Sequence, residues 1–181
     1  TGTLPTWRDA DPVQTAAPIL PTLQRWPVQS AMSAFYGAPG PEVERELVTI
    51  DCPWTLVIAW DPRQTTRRIR IHRRCAESLA RVLDVVRMTY SDAEIRRLRL
   101  DRYGGSYAHR RMRGGTAWST HAYGAALDFD PERNALNMRA PQATFSADVY
   151  DDWWAAWEAE GWVSLGRARG FDWMHVQAAR L

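Results

Sequence analysis

The chain has 181 residues, 45% hydrophobic and 24% charged, with a formal net charge of +2. That is the profile of one soluble globular domain long enough to bury a core, and the longest apolar stretch, Trp54 to Trp60, is too short to span a membrane. Two cysteines, Cys52 and Cys75, are too few for a disulfide scaffold and have no CxxC or CxxH spacing, which argues against a thiolate metal site and leaves pairing open.

All 23 basic residues are Arg, and residues 67–113 carry fourteen of them against five acids. Such a run meets a polyanion or is a solvated face. Because stacking aromatics are not interleaved with the Arg, the solvated face is the better reading, and no nucleic-acid partner is expected.

In chain order, the first 27 residues hold five Pro and lack periodicity, which predicts a leader or linker over 1–25 and a folded domain over 26–181. Residues 31–41 (AMSAFYGAPGP) predict a short helix closing on a Gly/Pro turn. Residues 46–51 and 54–60 are β-rich and broken by Cys52-Pro53, giving two short strands or one bent edge. Alternation over 67–71 predicts a half-buried strand, and Leu79, Val82, Leu83 and Val86 predict a helix from Ala76 to Met88.

A second short helix is expected over Asp92 to Leu98, capped by Ser91 or Asp92. The Gly- and Arg-rich stretch that follows holds a candidate strand over 106–110, and residues 125–129 (AALDF) read as a buried strand. Residues 147–160 predict an amphipathic helix with Val149, Trp153, Ala156 and Trp157 near one face, ended by Gly161. FDWMHVQ (171–177) is a turn entering a final strand. Helices and strands mix without regular βαβ alternation, so the class is α+β.

Four His exist. His72, at the head of the long helix, reads as a cap or packing residue, and His109 carries no assignment. His121 and Asp128 lie seven residues apart, roughly 10 Å on a continuous helix or roughly 23 Å on a continuous strand. Donors to one ion must converge to about 2 Å from a point. The chain must therefore turn between them, and Gly124 suits that turn. Beyond it, alternation sends Ala126 and Asp128 to one face and Leu127 and Phe129 to the core. His175 and Gln177 share a strand face, with Asp172 across a turn three residues earlier. Two imidazoles and a carboxylate make a three-donor site with an open position, the layout of catalytic zinc. Zinc lowers the pKa of water and polarises a carbonyl, and a carboxylate such as Asp172 shuttles the proton. A structural His–Asp pair is the plain alternative.

STHAYGAALD (119–128) matches the SxHxxGxAxD signature of the M15 family of zinc peptidases, which comprises D-alanyl-D-alanine carboxypeptidases, D-Ala-D-Ala dipeptidases and L-alanyl-D-glutamate endopeptidases. DWMH (172–175) resembles the family's second signature, with Asp where Glu is frequent. The resemblance covers about residues 26–181. It implies a small antiparallel sheet with flanking helices and a zinc site in a cleft on the sheet. It makes His121, Asp128 and His175 the zinc ligands and Asp172 the acid/base. GGSYAHRRMRGG (104–115) resembles the family segment whose Arg stabilises an oxyanion, with Arg110 the better fit and Arg113 the second.

Ser119, Tyr123, Trp173 and Arg113 are the candidate substrate contacts. Trp118, Tyr123 and Trp173 wall a groove or simply pack. Ser119 has no free His–Asp dyad to activate it and reads as a hydrogen-bond partner that orients a ligand. The implied activity is hydrolysis of an amide in the peptidoglycan stem peptide, as a carboxypeptidase or an endolysin-like endopeptidase. The expected enzyme is a monomer acting at the bacterial cell wall without a membrane partner. The rival reading is a non-catalytic, zinc-stabilised module that binds an anionic wall polymer through the Arg-rich half.

Overall fold

The structure, a computed structural model, describes residues 25–181. The expected leader thus lies outside the described residues, apart from Arg25. Six strands form one sheet in the order β2-β1-β3-β4-β6-β5: β1 (Leu47–Ile58), β2 (Thr65–His72), β3 (Arg102–Gly105), β4 (Ala126–Phe129), β5 (Val163–Ser164) and β6 (His175–Gln177). The helices are α1 (Met32–Tyr36), α2 (Pro41–Glu44), α3 (Arg73–Thr89), α4 (Asp92–Arg97), α5 (Asp151–Ala159) and α6 (Leu165–Arg169). No helix among the described residues is long and apolar enough to cross a membrane.

The α+β class holds, but the sheet is mixed rather than antiparallel. β1 and β2 form a hairpin; α3 and α4 then carry the chain across, so β3 returns parallel to β1, pairing Val57 with Arg102 and Ile58 with Tyr103. All other neighbours are antiparallel. The Cys52-Pro53 break resolves as one irregular strand. The β1–β2 register slips between Asp51 and Leu56, where Pro53 has no N–H to give the ladder.

The strand expected over 106–110 does not form; the strand pairing lies earlier, in β3. This segment is tied instead to the turn that carries His121, with Ala108 N donating to His121 O at 3.2 Å. Val149 is also misassigned, being 51% exposed. It lies in a 3-10 turn, Asp148–Tyr150, so the helical period of α5 does not extend back to it. Trp154 is buried instead.

The core sits between the sheet and α3 and α5. α3 begins at His72, whose ring accepts from Arg74 N, as a cap should, and buries Cys75, Leu79, Val82, Leu83 and Val86 along one stripe. α4 is capped by Ser91. Phe129 meets Trp153 edge-on at 5.0 Å, and Trp157 continues the aromatic layer to Trp162. Cys52 and Cys75 are free, buried thiols, pushed up to about 12 by burial, and act as small apolar residues. The chain enters along its own end: Val28 bridges Arg180, Gln29 N donates to Arg180 O and Arg180 N to Pro27 O, both at 2.7 Å.

Candidate metal centre

β4 and β6 pair Leu127 with Val176 and Asp128 with His175. Period-2 alternation puts Leu127, Phe129 and Val176 in the core, leaving Asp128 and His175 side by side on the opposite face. His121 arrives from a 3-10 turn, Thr120–Tyr123, that ends at Gly124 in the left-handed region, φ 63°. A Cβ at Gly124 would lie 2.5 Å from Leu47 Cδ2, so the turn has both a conformational and a packing reason for glycine. Ser119 Oγ caps this turn by accepting from His121 N at 3.3 Å.

The three side chains converge. His121 Nε2 lies 3.2 Å from His175 Nδ1 and 3.2 Å from Asp128 Oδ2; His175 Nδ1 lies 3.2 Å from Asp128 Oδ1. An ion about 2.0–2.1 Å from tetrahedrally arranged donors spaces them about 3.3–3.4 Å apart. The side chains therefore need almost no movement to hold one divalent cation. The outward nitrogens agree: His121 Nδ1 is 2.7 Å from Ser106 O, a carbonyl that can only accept, so the proton sits there and Nε2 turns its lone pair inward. His175 Nε2 faces Gln177 Oε1 at 3.0 Å and Thr120 Oγ1 at 3.2 Å.

The electrostatics match a cation site. Burial opposes ionisation of Asp128, yet His121 and His175 together hold its carboxyl well below the usual range. Burial works against the His175 imidazolium, but Asp128, Asp172 and Gln177 outweigh it and raise the group. The donor set favours positive charge at its centre.

Asp172 stands beside this cluster. Burial raises its carboxyl above the ordinary value; His175, His121 and Arg110 oppose the shift and Asp128 adds to it. Its Oδ1 is buried without a hydrogen-bond partner among the described residues. The backbone is left-handed, φ 56°, pinned by Asp172 N to Leu136 O (2.9 Å) and by His175 N to Asp172 O (3.1 Å). Asp tolerates that region better than most residues, and such conformations cluster at functional sites.

The cluster opens into a cavity of about 920 Å³. Arg110, Arg113, Trp118, Ser119 and Tyr123 line it, as do Asp172 and the three donors. Trp173 does not. It lines a separate, smaller pocket and packs over Gly166, where a Cβ would fall inside the indole, and near Trp154. In the turn from Asp172 to His175, Asp172, Met174 and His175 all reach the cavity, and Trp173 alone is sent the other way. His109 stacks on Trp118, with centroids 4.7 Å apart, and is not among the cavity residues. Sequence reasoning missed the roles of Ser106, Thr120 and Gln177. Only Gln177 carried a signal, its place on the His175 face of the strand.

No family model, curated protein or solved structure matches the chain.

Proposed function

We propose that this chain is a zinc peptidase that hydrolyses an amide bond of the peptidoglycan stem peptide. The observation that carries the reading is the convergence of His121, Asp128 and His175 at 3.2 Å spacing at a cavity that also holds a buried, strained carboxyl, Asp172. A structural His–Asp pair needs neither the third donor nor the open side. His121, Asp128 and His175 would hold zinc as three ligands, a set that would leave a position for substrate or water. When bound, zinc supplies a Lewis acid and lowers the pKa of water.

The chain's own groups do the rest. Asp172 has the position and raised proton affinity to take a proton from attacking water and return it to the leaving amine. Arg110, whose charge reaches Asp172 and which lines the same cavity, stabilises negative charge developing on the scissile carbonyl. Arg113 and Tyr123 border the path of the substrate. The stem peptide as substrate, and the cell wall as place of action, rest on the resemblance of residues 119–128 and 172–175 to the peptidases named above.

The test is digestion of purified sacculi by the zinc-loaded chain and by Asp172→Asn, with mass spectrometry of the released muropeptides. Cleavage by the native chain and its loss in a variant that still binds zinc are expected. Each product mass names one bond and so separates carboxypeptidase from endopeptidase. Unchanged sacculi with the native chain would favour the wall-binding module.

A further inference from the structure

The metal cluster does not end at its three donors. Gln177 is 1% exposed, two residues beyond His175 on β6, and all its polar atoms are engaged. Its Nε2 donates to Ala179 O and to Gln29 Oε1, both at 3.2 Å, and its Oε1 faces His175 Nε2 at 3.0 Å. An amide could in principle be turned over, exchanging oxygen and nitrogen. Here Ala179 O decides: a main-chain carbonyl has no proton to give, so the group facing it must be the NH2. The amide oxygen is then fixed toward His175, and in the neutral ring only the Nε2–H tautomer can satisfy it. That leaves the lone pair of Nδ1, the atom 3.2 Å from His121 Nε2 and from Asp128 Oδ1, free for a cation.

Gln29 completes the arrangement from the other end of the chain. It belongs to the segment that runs beside the chain terminus, anchored by Trp26, whose indole donates to Glu160 O at 2.9 Å, and by the Val28–Arg180 bridge. Its side chain accepts the second N–H of a buried amide that would otherwise lack a partner.

We propose that Gln177 is a positioning residue that sets the tautomer of His175, and that Gln29 holds Gln177 in register, so the entry segment of the domain is part of the metal centre. The proposal rests on the reading of His121, Asp128 and His175 as a zinc site. Outer hydrogen-bond partners of metal-bound His typically change affinity 10–100-fold when removed. A residue that merely packs would not alter which imidazole nitrogen carries the proton.

The experiment uses the full chain. Zinc dissociation constants are measured by competition with a chromophoric chelator, and the tautomer of neutral His175 is read from long-range proton–nitrogen NMR of metal-free protein. Gln177→Leu is expected to weaken zinc binding about 10–100-fold and to release His175 from the Nε2–H form. Gln29→Leu is expected to weaken it about fivefold, and Gln29→Glu, which keeps an acceptor for the amide, to restore it. Gln29 is only half-buried, so these two variants carry the test even if Gln177→Leu does not fold. Native affinity in Gln177→Leu with an unchanged tautomer overturns the role of Gln177; native affinity in Gln29→Leu overturns that of the entry segment. A native chain that binds no zinc sinks the zinc reading itself. The tautomer, read without metal, still decides the Gln177 contact.

Discussion

The two faces of the β4–β6 pair divide the molecule's work. One carries Leu127, Phe129 and Val176 against the aromatic layer of α5; the other carries Asp128, His175 and Gln177. Both are built by the same alternation, within 3 or 4 residues of strand each. On the apolar face stability scales with area and volume removed from water, and the partners are interchangeable in kind. On the polar face the partners are fixed by donor and acceptor type, and the cost of an error is a lost ligand rather than a lost contact. The apolar face also fixes the register of the polar one, because a slip by one residue would exchange them.

Substitutions can break this division in order of effect. His121→Ala is expected to weaken zinc binding by at least about 1000-fold and abolish hydrolysis, checked by chelator competition and a sacculus assay, with the metal-free protein melting within a few degrees of native. Phe129→Ala does the reverse: a loss of about 3–5 kcal/mol in denaturant unfolding, with the zinc stoichiometry of the folded protein unchanged. Arg110→Ala is expected to lower kcat about 100- to 1000-fold while leaving zinc affinity intact, which distinguishes charge stabilisation from metal binding.

Acidity sharpens the contrast. Protons compete with zinc for His175, whose pKa is raised, so affinity is expected to fall about tenfold per pH unit below that raised value. Asp128, held low, adds nothing until strongly acidic solution. The smallest effect is the one that Asp172 has on the stability of the metal-free chain. Its folded pKa is raised, so the stability it contributes is present below its unfolded value of about 3.9 and is lost as pH rises through the folded value. At neutral pH the charged form is a cost. Metal-free Asp172→Asn is therefore expected to be more stable by about 1 kcal/mol at pH 7, with the gain gone at pH 3, as thermal melts at both values would reveal.

Much of this was legible along the chain. The turn at Gly124 followed from the impossibility of joining His121 and Asp128 by a straight element, and the split of Ala126 and Asp128 from Leu127 and Phe129 followed from strand period. α3 was legible because its apolar stripe is long. What escaped depended on partners far away in sequence. β3 lies where β1 and β4 supply a ladder, and its own residues, Arg102–Gly105, have no strand pattern. Trp173 adjoins Asp172 in sequence yet faces the opposite side, since direction along a turn is set by backbone angles such as φ 56° at Asp172. Ser106 acts through its main-chain carbonyl, which no side-chain pattern can announce.

The most direct test is anomalous diffraction at the zinc edge from crystals of the zinc-loaded chain. One peak is expected, about 2.0–2.2 Å from His121 Nε2, His175 Nδ1 and an oxygen of Asp128, with solvent at the remaining position. A peak elsewhere, or no peak with the two imidazoles turned apart, would contradict the account.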